Sequence, residues 1–136
     1  MSGLFAFIGC SVTIRNNKLM DWEIRIFKDA IDLSNIAQMA EETFGDYVKG
    51  VVDIEQKLLG LGGELHSDIE EILLSQGSIQ QNLWGINLHP HESWPEMVEF
   101  DSLINIRPRQ NNRSRDVEDG ELRERILKLI EEKLRR

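Results

Sequence analysis

Residues 47–65 read Y-V-K-G-V-V-D-I-E-Q-K-L-L-G-L-G-G-E-L, and two periods compete in them. Tyr47, Val51, Ile54, Leu58, Leu61 and Leu65 recur at alternating helical intervals of four and three. Val52, Ile54 and Leu58 also alternate with Asp53, Glu55 and Lys57 at the two-residue interval of a strand. Gly50, Gly60, Gly62 and Gly63 decide between the two, because each costs about 1 kcal/mol inside a helix. The stretch is expected to be a hairpin: Val48–Ile54, a turn at Glu55–Lys57, then Leu58–Leu65. Antiparallel sheet therefore sits in the middle of the chain.

On the N-terminal side, Trp22, Ile24 and Ile26 alternate with Glu23 and Arg25, as in a half-buried strand. Asp32 or Ser34 can cap a helix that presents Ile36, Met39, Ala40 and Phe44 on one face and stops at Gly45. On the C-terminal side, Ser67 opens the capping box S-D-I-E, which predicts a helix from Asp68 to about Gln76, ended by Gly77. Leu83–Leu88 is apolar on both faces and is expected inside the sheet. Pro90 and Pro95 bracket a loop holding His91 and Trp94. Val98, Phe100, Ile104 and Ile106 alternate as a further strand whose other face carries Asp101, Leu103, Asn105 and Arg107. Asp119 caps a last helix through Leu134, with Leu122, Ile126, Leu129, Ile130 and Leu134 as its apolar stripe. These elements predict one α+β domain: a mainly antiparallel sheet of about five strands, covered by two or three helices including the C-terminal one.

The 136 residues suit one core. Met20 directly precedes the first clear strand pattern, so the domain is expected to span 20–136. Residues 1–19 are then an N-terminal extension, and Met20 the true start. The alternative is an edge strand over Val12 and Ile14. With 16 basic and 24 acidic side chains the net charge is −8, which argues against blanket binding to nucleic acid or anionic membrane. The charge is uneven. Residues 1–104 hold 6 basic and 17 acidic side chains, and residues 105–136 hold 10 and 7, so a local cationic patch on an acidic body is the expectation. A lone Cys10 excludes an internal disulfide and any multi-cysteine zinc site, and a reducing cytoplasm is the simple reading. Leu4–Ile14 is apolar but shorter than the ~20 residues of a membrane span. No membrane association and no cofactor are expected.

Three constellations bear on chemistry. The segment N-I-R-P-R-Q-N-N-R-S-R, residues 105–115, holds four arginines and three asparagines and no acid. Arginine's planar fork matches phosphate or carboxylate oxygens in pairs. Asn105, Arg107, Arg109, Asn112, Arg113 and Arg115 are therefore candidate anion-binding donors. The competing reading is a solvated loop whose arginines pair with the chain's many acids. In G-G-E-L-H-S-D, residues 62–68, Glu64 and His66 share a face if they lie on a strand, and His66 can then act as an acid/base oriented by Glu64. The plainer reading places Asp68 in the helix's first turn and His66 as an ordinary polar side chain beside it. H-P-H-E, residues 89–92, reads as loop rather than metal site. Trp22, Trp84 and Trp94 are expected to pack in the core, with a place over a pocket as the alternative for Trp94 in its proline-bounded loop.

The ordered run V-V-D-I-E, G-G-E-L-H-S-D, Q-G-S-I-Q-Q-N-L-W-G-I-N-L and F-D-S-L-I-N-I-R-P-R-Q-N-N-R-S-R, closed by V-E-D and a helix, resembles a small prokaryotic family of uncharacterised proteins, a domain of unknown function. The resemblance covers roughly Trp22 to Leu134. It implies a compact α+β domain in a cytoplasmic protein and brings no activity. Glu64, His66, Trp84, Asn87, Asn105, Arg107, Asn112, Arg113 and Arg115 match its motif segments. The chain departs from the pattern at Gly120, where proline is usual, and over residues 1–19.

The expected function is a binding or regulatory module that grips an anionic small molecule, a nucleotide or an RNA backbone through the Arg/Asn-rich segment. A small hydrolase or nuclease using His66 and Glu64 with the loop arginines is the alternative. It requires His66 and the arginines to share one cleft. A self-associating scaffold without a ligand is the third reading.

Overall fold

The computed structural model describes residues 22–136 and, before them, the strands Phe5–Ile8 (β1) and Ser11–Ile14 (β2). The central hairpin forms as the glycines predict: Val48–Asp53 (β5) pairs antiparallel with Leu58–Gly62 (β6), Val51 opposite Gly60. Asp53 closes the turn. Its buried carboxylate accepts from the amides of Glu55 and Gln56, both at 2.9 Å, and from Ser78 Oγ at 2.6 Å.

Ile24–Phe27 (β3) pairs with β6, and Leu83–Leu88 (β7) pairs with β5 along its whole length. The two-residue Val98–Glu99 (β8) extends the far edge. This antiparallel sheet runs β3-β6-β5-β7-β8, and β1 and β2 continue it beyond β3. The extension expected over residues 1–19 lies in part outside the described residues. Ile31–Asp32 (β4) and Leu134–Arg135 (β9) form a separate short parallel pair.

Among the described residues, three α-helices cover the sheet: Leu33–Glu42 (α1), His66–Ser75 (α2) and Gly120–Lys133 (α3). Strand alternation sorts the core into two sides. Phe27, Val48, Val52, Leu59, Leu61, Trp84, Ile86 and Leu88 pack with α1 and α3. Ile24, Ile26, Val51 and Leu83 pack with Ile69 and Leu73 of α2. No helix among the described residues is long and apolar enough to cross a membrane.

Two local expectations are overturned. The helix expected from Asp68 begins at His66, and Leu65 precedes it without a side-chain cap, so the S-D-I-E capping box does not form. The cause lies upstream. Gly62 and Gly63 adopt φ of 112° and 74°, which turns the chain off β6 and ends the strand before Leu65. A Cβ at Gly62 would sit 2.2 Å from the Glu23 carbonyl oxygen. Glu64 and His66 therefore do not share a strand face.

The strand expected from Val98 to Ile106 also stops early, after Glu99. Residues Leu103–Asn105 form a 3-10 turn instead, with Ser102 Oγ accepting from the Ile104 amide at 3.3 Å. A side chain takes the place of the missing ladder. Asn105 Oδ1 accepts from the Gly85 amide at 2.8 Å, and Asn105 Nδ2 donates to the Gly85 carbonyl at 3.0 Å. The turn approaches β7 so closely that a Cβ at Gly85 would lie 2.5 Å from Ser102 Cβ. Gly85→Ala is accordingly expected to destabilise the protein by about 1–3 kcal/mol through overpacking. A urea midpoint equal to that of the parent would contradict the close approach.

Candidate functional site

Lys49 and Asn87 are register partners on β5 and β7, so their side chains leave the sheet on one side. Val51, two residues from Lys49, packs against α2, which identifies that side. The first turn of α2 brings His66 there, β8 brings Glu99, and the chain after it brings Asp101, Ser102, Leu103 and Ile104. Together with Tyr47, Leu65, Ser67, His89 and Arg115 they line a cleft of about 420 Å³.

His66 is buried, and its Nε2 lies 2.9 Å from the Ile86 carbonyl oxygen. A carbonyl only accepts, so the neutral ring carries its hydrogen on Nε2 and keeps Nδ1 as a lone-pair acceptor. Burial lowers the pKa of His66 from 6.5; Lys49 lowers it further, while the Ile86 carbonyl, Asn87 and Asp101 oppose the shift. The unfolded chain therefore takes up the proton first as pH falls. The stability that neutral His66 contributes is complete above about pH 6.5 and is lost as pH falls from there toward the folded-state value. The stability difference between the parent and His66→Gln, followed by urea denaturation from pH 7.5 to 5, is expected to shrink with falling pH. A difference independent of pH would contradict this.

Around His66 the polar groups are linked. Asn87 Nδ2 donates to Glu99 Oε1 at 3.1 Å and to the Asp101 carbonyl at 3.2 Å. Glu99 Oε1 also meets His89 Nε2 at 2.9 Å, and the His89 ring stacks on Tyr47 at 5.3 Å. Arg115 Nε donates to Asp101 Oδ1 at 2.6 Å. Its two terminal nitrogens make no hydrogen bond among the described residues. Lys49 is half-buried, with its ammonium 4.9 Å from the centre of the Phe44 ring. No carboxylate among the described residues lies within ion-pair distance of it. Desolvation lowers its pKa; Glu64 and Asp68 oppose this from a distance, and Arg115 adds to it.

The sequence-derived candidates divide. His66 and Arg115 line the cleft together. Glu64 exerts its field on Lys49 and does not figure among the charges acting on His66. Asn105 and Asn112 are buried and bond to backbone; Asn112 Nδ2 donates to the carbonyls of Asn105 and Asp116 at 2.7 and 2.6 Å. Arg107 donates to the carbonyls of Ile104, Gln80 and Leu83 and lies over the Trp84 ring. Arg109 and Arg113 are exposed, and the backbone amide of Arg113 donates to Glu118. Sequence reasoning passed over Lys49, Tyr47 and Glu99. The available signal was Lys49 itself, a lysine at the strand parity of buried Val51. Among the described residues no three His, Cys, Asp or Glu side chains gather as a metal-ligand set.

A family model described as "Protein of unknown function (DUF5674)" matches residues 25–133, in agreement with the span of the resemblance read from the sequence. No curated protein and no solved structure matches the chain.

Proposed function

The chain belongs to this family of uncharacterised proteins, and from its own geometry we propose that the cleft beside α2 binds a small anionic molecule between Lys49 and Arg115, with His66 as the neighbouring proton acceptor. The observation that carries the reading is the half-buried Lys49, which has no ion-pair partner among the described residues and shares its cleft with the exposed guanidinium of Arg115, whose Nε pairs with Asp101 and whose two terminal nitrogens stay open to solvent. A desolvated cation without a counter-ion is costly, and an anionic ligand removes that cost. The opening turn of α2, the positive end of its dipole, lies at the same cleft and adds to the attraction. The cleft's volume suits a small molecule rather than an extended RNA backbone.

The test is an NMR titration of the labelled protein with inorganic phosphate and with small carboxylates. Saturable shifts at Lys49, His66, Asn87 and Arg115 are expected, weakened about tenfold by Lys49→Met or Arg115→Gln. Shifts confined to Arg109, Arg113 and other positions outside the cleft, and unaffected by either substitution, would reject the reading.

A catalytic use of the same cleft rests on the His66 tautomer. A neutral ring anchored through Nε2 presents Nδ1 as a positioned base, and Lys49 and Arg115 can stabilise developing negative charge. In that case Glu64 tunes Lys49 rather than orienting His66. Turnover of activated carboxylic and phosphoric esters, abolished by His66→Gln at unchanged anion affinity, is the expected signature. Turnover that survives His66→Gln would remove His66 from the role.

A further inference from the structure

We infer that the ligand of this cleft is an amphiphile, a compact anionic head on a short aliphatic chain. The inference rests on the anion-binding reading above and adds the class of molecule.

Polar and apolar groups share the cleft, and its large aliphatic side chains stand open. Leu103 is 67% exposed and Leu65 45% exposed, and half-buried Ile104 lies beside them in the lining. Single exposed leucines are ordinary on a protein surface. Here they line the very cleft that holds the Lys49 ammonium, which has no ion-pair partner among the described residues and lies over the Phe44 ring.

Their backbone setting explains why they stay open. Leu103 lies in the 3-10 turn that Asn105 pins against Gly85, and Leu65 immediately precedes α2 after the Gly62–Gly63 turn. Both segments are held by their neighbours, so neither leucine is free to fold inward. A purely polar anion would satisfy Lys49 and Arg115 but leave these side chains in water. A purely apolar ligand would cover them and leave Lys49 without a counter-ion. A head-and-chain molecule meets both demands at once.

The test is a homologous series of straight-chain monocarboxylates from acetate to octanoate, kept below micellar concentrations and titrated into the full-length protein by NMR. Affinity is expected to rise about two- to fourfold per added methylene up to about hexanoate and then level off. Leu103→Ser, at an exposed position, is expected to flatten that rise while leaving acetate binding as it was. If acetate binds in a Lys49-dependent way but longer acids bind no tighter, the amphiphile assignment is wrong and the anion site stands. If the rise is unchanged in the Leu65→Ser, Leu103→Ser double variant, the chain lies elsewhere and the assignment is wrong as well. If no member of the series perturbs the cleft, the amphiphile assignment falls, and the anion site falls with it when inorganic phosphate also leaves the cleft unperturbed.

Discussion

Asn105→Ala is expected to lower the free energy of unfolding by about 3–4 kcal/mol, the largest loss from any single side chain in the segment 105–115. Asn105 is fully buried, and its amide makes three hydrogen bonds to backbone: from the Gly85 amide at 2.8 Å, to the Gly85 carbonyl at 3.0 Å and to the Arg115 carbonyl at 3.0 Å. Truncation strands the amide and the carbonyl of Gly85, each costing about 1–3 kcal/mol when left without a partner, while the Arg115 carbonyl keeps the Ser102 amide as a donor. Asn105→Asp should be at least as harmful, because it sets carboxylate oxygen against both carbonyls and buries a charge. Urea denaturation followed by tryptophan fluorescence measures the change. A loss below about 1 kcal/mol for Asn105→Ala would mean that β7 does not depend on this amide.

Arg107→Lys, conservative in charge, is expected to cost about 2–3 kcal/mol. The Arg107 guanidinium is a hub. Its Nε donates to the Ile104 carbonyl at 2.9 Å, and its terminal nitrogens reach the carbonyls of Gln80 and Leu83 and the Gln110 side chain. Its carbon lies 4.5 Å from the centre of the Trp84 ring, and Glu70 of α2 stands 3.8 Å away. A single ammonium cannot point at acceptors spread around a planar fork, nor stack flat on an indole. Arg109→Lys, at an exposed position, is expected to change stability by less than about 0.5 kcal/mol. The same pair of variants separates structure from binding. Because Arg107 does not line the cleft, Arg107→Lys should leave the affinity for small anions unchanged where the protein remains folded, whereas Arg115→Gln lowers it. Equal stability losses for Arg107→Lys and Arg109→Lys would overturn the hub.

Much of the architecture was legible before any coordinates. The four glycines of residues 47–65 rejected a helix, and the hairpin β5–β6 follows. Asp119 caps α3 as read, accepting from the Glu121 amide at 2.9 Å. These outcomes depend on interactions within a few residues, so the sequence carries them directly. The alternation over 98–106 misled for a related reason. It correctly marked Val98 as buried, but it cannot register that a side-chain amide further on replaces the ladder.

The site was legible in part. His66 and Arg115 were among its candidates, and both line the cleft; Lys49 was not. The sequence by itself determined the α+β class, the helix and hairpin positions and an abundance of hydrogen-bond donors in residues 105–115. Only the tertiary structure decided where those donors are used. A donor's type is written in its own residue, but its acceptor is another part of the chain: Gly85 stands 20 residues from Asn105, and Leu83 stands 24 from Arg107. Whether an arginine or a lysine still has a charge to offer depends on which carbonyls and carboxylates folding brings against it.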